Sequence, residues 1–435
     1  MKKSKLSIIC IVLVAVMVFM SGCGTTQKND PEKTDPGTTT GSSTPAGKTE
    51  ISFWNGFGGS DRSTLEAIVE RYNETSDKYY VNMEIMDWEL VYQKLSTSAS
   101  SNQGPDFICF GPENIATYAN MGAIVPVNDF YEAKMIDESL FPETFKDMIK
   151  YKGDYIGIPM NFFNHCLYYN KDMAQAAGLD ISSPPKTWDE LATWARAMTN
   201  EANGEYGFFI PTGWVSLVQH LWANGGDIMD YSTKTATINS PKSVEAVQFF
   251  ADLYKEGVSP ATNSNGGQMF TAGKLGMMID GPWQTPQVKE AGINYGLSLV
   301  PAGPVKQVTF GAGLSFHITA KGVKNEATKA GVYDFAQWWF GKDVQKEWST
   351  GVAFPPIRTD LAEDKELIAE NPDLAVFLES GKIAQPWLLG IVNSQKILSD
   401  VTGKYFDEIF LNNADVQEAL DKANTDLDKI LATEK

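Results

Sequence analysis

Ile51-Ser52-Phe53-Trp54 reads as a short strand, residues 55–59 form a glycine-rich turn, and apolar residues then recur at Leu65, Ile68, Val69 and Tyr72. That is the i, i+3, i+4, i+7 spacing of one helix face, with Ser63 and Glu66 at capping-box spacing near its start. The alternation repeats. Residues 80–86 pattern as a strand, residues 89–101 as a helix, and Asp106-Phe107-Ile108-Cys109-Phe110 as an apolar strand after the Gly104-Pro105 turn. Strands alternating with helices predict an α/β lobe around a buried, mostly parallel sheet. Similar segments run on through the chain. Strand patterns fall at residues 155–159, 167–169, 275–279, 295–299 and 314–319, and helical patterns at 215–222, 243–256, 326–340, 342–350 and from Val416 onward. A further helix opens at Thr187, with Glu190 three residues later as a capping box. No internal repeat is visible, and 435 residues suffice for two such lobes.

The N-terminus predicts export. Lys2, Lys3 and Lys5 precede an apolar run at residues 6–20, too short to span a bilayer comfortably but suited to a signal segment. Met20-Ser21-Gly22-Cys23 resembles a bacterial lipobox, in which the cysteine is lipidated and becomes the new N-terminus; residues 1–22 are then the signal peptide. Residues 23–50 read as the lipidated Cys23 and a disordered tether, rich in Thr, Gly, Pro and Ser and empty of large apolar side chains. No later stretch is long and apolar enough to span a membrane, so lipid at Cys23 is the one membrane attachment expected. The formal charge of -18, from 36 Lys+Arg against 54 Asp+Glu, becomes more acidic once the basic signal is removed. Such a surface is ill-suited to phosphate backbones, and no nucleic-acid partner is expected. Cys109 and Cys166 lie in apolar strand-like runs and read as small buried hydrophobes rather than a disulfide or a metal pair.

A search for catalytic motifs finds little. His165, His220 and His317 are scattered, without HExxH or zinc-site spacing. There is no GxSxG elbow and no Walker-type loop, and Gly56-x-Gly58-x-x-Asp61 carries Asp where a dinucleotide fingerprint needs its third glycine. No cofactor, no metal and no catalytic residue is expected. A glycosidase needs only two carboxylates, and their spacing here gives no positive pattern for one. The loop with Ser60, Asp61 and Arg62 either offers backbone N–H groups and side chains to ligand hydroxyls or is a plain turn and cap. Asp87, Glu113 and Asp280 likewise read as hydroxyl-binding acids or as caps. Of the eleven tryptophans, Trp188, Trp194, Trp338, Trp339 and Trp348 sit on helical patterns and read as core, whereas Trp54, Trp88, Trp214, Trp283 and Trp387 stand at strand ends or in Gly/Pro-flanked loops. Stacking on a ligand and core packing are both open for this second group, with Trp283 the leading candidate.

Four stretches together resemble the family 1 extracellular solute-binding proteins of ABC importers, the group that includes maltose-binding protein. They are ISFWNGFGGSDRSTLE (51–66), GPDFICFGPENIATYANMGAIVPV (104–127), LYYNKDMAQAAGLDISSPPKTWDEL (167–191) and MFTAGKLGMMIDGPW (269–283), supported by NGGDIM (224–229) and VAFPPIR (352–358). The resemblance implies a two-lobe α/β fold of the periplasmic-binding-protein kind (type II-like). Lobe I would comprise residues 51–162 and 312–355, and lobe II residues 163–311 and 356–435. Hinge crossovers would fall near 160–164, 310–315 and 354–358, with Gly311 and Gly313 absorbing backbone rotation.

The resemblance also implies ligand-binding positions. Trp283 matches a stacking aromatic, Asn55, Asp61 and Arg62 the polar first-strand loop beginning at Trp54, and Phe110 and Glu113 an aromatic and an acid after the third strand. Phe163, or neighbouring Asn161 and Asn164, falls where maltose-binding protein uses a Glu, a departure that argues against maltose and leaves carbohydrate as the class. Trp214 matches a second-lobe aromatic, while Trp88 and Trp387 rest on loop context. The implied function is capture of an oligosaccharide by a lipid-anchored monomer outside a Gram-positive cytoplasmic membrane, with delivery to the permease subunits of an ABC transporter and no reaction on the ligand. A secreted glycoside hydrolase and a non-closing carbohydrate adhesin are the alternatives.

Overall fold

A computed structural model of the chain describes residues 44–59, 61–98, 103–213 and 217–434. The predicted signal peptide, Cys23 and Trp214 lie outside the described residues. The framework strands are β1 (Thr49–Asn55), β2 (Tyr79–Ile85), β3 (Phe107–Phe110), β4 (Ile158–Pro159), β5 (Phe163–Asn164), β6 (Cys166–Asn170), β7 (Tyr206–Phe208), β8 (Leu275–Asp280), β9 (Tyr295–Ser298), β10 (Thr309–Ala312), β11 (Ser315–Ile318) and β12 (Ala384–Gln385). The helices that matter below are α1 (Arg62–Thr75), α2 (Trp88–Ser98), α3 (Pro112–Asn120), α4 (Trp188–Met198), α5 (Gln284–Glu290), α6 (Glu326–Trp339), α7 (Lys342–Val352) and α8 (Ser394–Ile397). Among the described residues no helix is long and apolar enough to cross a membrane.

The first sheet has the order β2-β1-β3-β11-β4. Strand β1 runs parallel to both neighbours, with Phe53 opposite Met83 and Phe107. Its side chains alternate between two buried faces, as a period of two requires. Phe53, Phe107 and Cys109 belong to the larger core with helices α1 and α6, while Trp54, Ile108 and Phe110 pack beneath Val91 and Leu95 of α2. The Phe53 and Phe107 rings stack 4.5 Å apart, and Phe316 of β11 meets Phe53 edge-on at 5.8 Å. Helices on both faces explain why β3 reads as a continuous apolar run. Strand β11 pairs antiparallel with both β3 and β4, so it is the one reversed strand among five and the other four run in a common direction. Hydrophobic patterning dictates which side chains are buried, not the direction in which a strand enters, and β11 enters only after the chain has built a second sheet.

That second sheet, of order β9-β6-β8-β7, is antiparallel at β9-β6 and β6-β8 and parallel at β8-β7. Residues 160–165 carry the chain from β4 in the first sheet to β6 in the second, and residues 299–314 carry it back from β9 to β11. Strands β5 and β10 lie within these two connections and pair antiparallel, Asn164 opposite Gly311, with β12 parallel on the outer side of β10. Side chains reinforce the junction. Asn161 Oδ1 accepts from the Leu314 N–H at 3.2 Å, and the indole N–H of Trp339 donates to the Met160 carbonyl at 2.8 Å.

Several local expectations shift in position. Helix α1 begins at Arg62 without a side-chain cap, and Glu66 pairs with Arg62 one turn earlier (2.8 Å) instead of closing a box with Ser63. At α4 the Glu190 N–H donates to Thr187 Oγ1 at 3.3 Å, and the return bond to the Glu190 carboxylate comes from the Lys186 N–H at 2.6 Å. Thr49 and Glu50, placed in the tether by composition, pair with Tyr79 and Tyr80 in β1, since backbone pairing needs no apolar side chain. Cys109 and Cys166 are buried free thiols in different sheets.

Gly311 and Gly313 are closely packed, and neither has a positive φ. A Cβ on Gly313 would fall 1.9 Å from Phe145 Cε2 and 2.5 Å from the Asn161 carbonyl oxygen; one on Gly311 would fall 2.5 Å from Ala384 Cβ. Substitution Gly313→Ala should therefore destabilise the protein by about 1–3 kcal/mol, the usual cost of overpacking. A thermal denaturation midpoint unchanged from wild type would show that the connection yields without strain.

Candidate functional site

Because β1, β2 and β3 are mutually parallel, their carboxyl ends lie at one edge of the sheet, and so do the loops that follow them. After β1 comes Gly56-Phe57-Gly58-Gly59, folded tightly by the Phe57 N–H donating to Asn55 Oδ1 (3.1 Å) and the Gly58 N–H to the Gly56 carbonyl (2.8 Å). After β2 comes Asp87 and then Trp88, the first residue of α2, whose indole lies against Gly56; a Cβ there would fall 2.1 Å from Trp88 Cδ2. Tyr92 follows one helical turn on, its ring nearly parallel to that of Trp88 at 6.0 Å. After β3, Gly111-Pro112 opens α3 and Glu113 stands in its first turn. A Cβ on Gly111 would lie 2.3 Å from Glu113 Oε2, so glycine is what lets this carboxyl group fold back over the helix start.

The second sheet supplies a facing group at the end of β8. In Gly281-Pro282-Trp283 the indole folds over Gly281, where a Cβ would meet the ring at 2.3 Å. Trp283 meets Phe163 of β5 edge-on at 5.5 Å and approaches Phe354 at 6.1 Å. Asp280 beneath it accepts from the Gly281 N–H (2.7 Å) and from Gln284 Nε2 (2.8 Å). Between the two groups lies a cavity of about 610 Å³, within the ~300–1,000 Å³ range of small-ligand sites. Its aromatic lining is Phe57, Trp88, Tyr92, Phe163, Trp283 and Phe354, and its polar lining is Asp61, Asp87, Glu113, Asn114, Gln287 and Gln395. Asn114 Nδ2 donates to Glu113 Oε1 at 2.7 Å, and Gln395 Nε2 of α8 donates in turn to Asn114 Oδ1.

Burial governs the acids here. Removal from water pushes Glu113 up to about 7, an effect that a backbone N–H only partly opposes. Asp61 is raised to about 6 by the same cause, held back by N–H groups at the start of α1, and Asp280 also to about 6. Asp61 and Glu113, which both line the cavity, are thus shifted toward neutrality.

Of the candidate ligand positions, Asp61, Asp87, Trp88, Glu113, Phe163 and Trp283 line the cavity. Others have structural employment. Trp54 is buried with Lys94 Nζ over its ring at 5.4 Å, and Asn55 is buried bracing its own loop. Arg62 pairs with Glu66 on the exposed side of α1. Phe110 stacks on His317 at 4.1 Å, Asn161 ties the two connections together, and Asn164 Nδ2 donates to the Phe377 carbonyl at 2.9 Å. Trp387 is 1% exposed, in the core. Most of these side chains are taken up by core packing or by hydrogen bonds to backbone, whereas Asp61, Asp87, Trp88, Glu113 and Trp283 stand in loops or at helix starts just past strand ends. Phe57, Tyr92, Asn114, Phe354, Gln287 and Gln395 line the cavity without having been singled out as ligand positions. Tyr92 and Gln287 stand four residues after Trp88 and Trp283, a helical spacing readable in the sequence, whereas nothing local marks Gln395.

The raised Glu113 makes a sign-definite prediction. Its folded value lies above its unfolded one, so between about 4.5 and about 7 the folded chain holds a proton that the unfolded chain has lost, and stability falls as pH rises. The contribution is on the order of 3 kcal/mol across that window. Glu113→Gln, which keeps the acceptor for Asn114, should flatten this part of the profile and exceed wild-type stability at pH 8 in chemical denaturation; identical profiles would place the titration elsewhere.

The sequence profile of the family described as bacterial extracellular solute-binding protein matches residues 67–376. A maltotriose-binding protein of Pyrococcus abyssi (strain GE5 / Orsay) is 24% identical over 343 residues, covering 74% of this chain and 69% of its own length. The sn-glycerol-3-phosphate-binding periplasmic protein of Rhizobium meliloti (strain 1021) is 25% identical over 403 residues, covering 86% of this chain and 92% of its own. Among solved structures, an ABC substrate-binding protein from Listeria monocytogenes in complex with cycloalternan superimposes with a TM-score of 0.80 at 20% identity, over 88% of this chain and 99% of that one. That likeness is one of fold. A profile match over most of the chain joins a mixed α/β architecture whose strand ends enclose an aromatic, polar cavity, and the chain belongs to the bacterial extracellular solute-binding proteins.

Proposed function

We propose that the protein captures a carbohydrate, in the form of an oligosaccharide, in this cavity and delivers it unreacted to the permease subunits of an ABC transporter. The observation that carries the reading is the lining itself: Trp88 and Trp283, which follow strands of different sheets, offer flat apolar faces alongside carboxyl and carboxamide groups. A sugar ring has the matching chemistry, an apolar C–H face and a rim of hydroxyls. Among the described lining residues there is no Lys, Arg or His to meet a phosphate, which favours a sugar such as the Pyrococcus and Listeria proteins take over a glycerol phosphate. Two lobes, residues 51–162 with 312–355 and residues 163–311 with 356–435, would close about the paired connections at β5 and β10. The Met20–Cys23 motif supports lipid anchoring at Cys23 on the outer face of the cytoplasmic membrane, with the protein acting as a monomer.

A thermal-shift screen with gluco-, xylo-, manno- and galacto-oligosaccharides tests this reading. One class should raise the unfolding midpoint, by linkage worth about 2.7 kcal/mol at a hundred times Kd, and should be recovered intact by chromatography. Cleaved products would establish the hydrolase instead, and stabilisation without compaction in small-angle scattering would establish the non-closing adhesin. Trp283→Ala should weaken binding of the active sugar at least tenfold in titration calorimetry while the protein stays folded. Unchanged affinity would remove Trp283 from the site.

A further inference from the structure

Gln395 reaches the cavity from α8, and the loop that leads into this helix is irregular: Leu388 and Gly390 have φ values of 53° and 72°, in the left-handed region. Such a loop needs bonds from outside itself. Glu434, just beyond α9 (Val416–Leu431), supplies them by gripping two successive backbone donors. Its Oε2 accepts from the Val392 N–H at 2.8 Å, and its Oε1 accepts from the Asn393 N–H at 2.6 Å and from Asn393 Nδ2 at 2.6 Å. Bonds to an ionised acceptor are stronger than neutral ones, and two oxygens set against two adjacent N–H groups fix direction as well as distance. The anchor behind them is firm. Leu427, Ile430 and Leu431 of α9 are buried, Asp428 Oδ1 accepts from the Ala236 N–H at 2.8 Å, and Lys234 Nζ donates to the Glu434 carbonyl at 3.0 Å. On its other side the loop bonds to α3. Thr117 Oγ1 donates to the Val392 carbonyl at 2.7 Å and lies 3.1 Å from Ser394 Oγ, and Gln395 Nε2 donates to Asn114 Oδ1. Residues 392–395 are thus clamped between Glu434 and the helix that carries Glu113.

We propose that Glu434 is a positioning residue of the binding cavity: by holding the backbone of residues 392 and 393 it places Gln395 against Asn114 and completes the wall that a bound sugar meets. This rests on the reading of the cavity as a carbohydrate site. Glu434 does not line the cavity itself and acts through the segment it holds.

Two measurements on the mature protein test the proposal. Without sugar, hydrogen exchange read by mass spectrometry reports on the loop: Glu434→Ala should speed exchange in peptides covering residues 391–397 about tenfold and leave those from β1 and β3 unchanged. Titration calorimetry with maltotriose, xylotriose, mannotriose and galactotriose reports on the site. The trisaccharide that the wild type binds should bind Glu434→Ala about tenfold more weakly, and in a Gln395→Ala background the same substitution should cost less than twofold further. That non-additivity separates positioning of Gln395 from general support of the fold. Glu434→Gln, which keeps one acceptor oxygen, should recover part of both effects, with thermal unfolding confirming that each variant is folded. Unchanged exchange in Glu434→Ala would overturn the proposal. Faster exchange with unchanged affinity, or an undiminished loss in the Gln395→Ala background, would overturn the positioning role and leave the carbohydrate reading standing. Should Glu434→Ala fail to fold, Glu434→Gln decides by the same criteria. If the wild type binds none of the trisaccharides, the carbohydrate reading fails separately, and the exchange comparison still upholds or overturns the hold of Glu434 on the loop.

Discussion

The parallel pairing of β1 with β2 on one side and β3 on the other is the constraint from which the site follows. Parallel strands present their carboxyl ends at a common edge, and the loop after each strand must emerge there. This is why the glycine loop at residues 56–59, the Asp87-Trp88 pair and the Gly111–Glu113 turn converge although they are spread over half a hundred residues of sequence. The crevice beyond the strand ends is where open α/β sheets generally bind ligands. Here the helix starts of α2 and α3 add first-turn side chains that point into that space.

The opposite wall depends on a smaller element. Strands β5 and β10 are only a few residues each, yet their antiparallel pairing sets the passage of the chain between the two sheets and brings Phe163 beneath Trp283. Close packing at Gly311 and Gly313 leaves this junction no room for a side chain, and the Asn161, Trp339 and Gln345 hydrogen bonds fix its backbone. A relay of Gln395, Asn114 and Glu113 reaches across the cavity from α8 to α3, so the buried acid is tied to chain almost 300 residues away.

Much of this was legible in the residues. The period of two at Phe53 and Trp54 and the 3.6-residue period of α1 and α4 mark their elements because burial on one face repeats with local geometry. Gly56 was visible in a turn and Gly281 in a Gly-Pro loop, but the reason for these glycines and for Gly111, an indole or a carboxyl group folded back onto the backbone, appears only with the side chains in place. Resemblance of the Gly-Pro-Trp segment pointed to Trp283, and resemblance of the stretch after the third strand pointed to Glu113. Trp387 and Phe110 show the limit: flanking residues or a position at a strand end suggest exposure, yet tertiary packing closes over the ring.

The sequence by itself determined the longer amphipathic helices and the apolar strands β1, β3, β6 and β8, and the acids and glycines that follow the first strands, because each follows from interactions among residues a few places apart. Tertiary structure alone decided the direction of β11, the burial of Trp54 and Trp387, and the meeting of Gln395 and Phe354 with Asn114 and Trp283. Those depend on contacts between distant residues, and local periodicity records that a face is buried without recording what buries it.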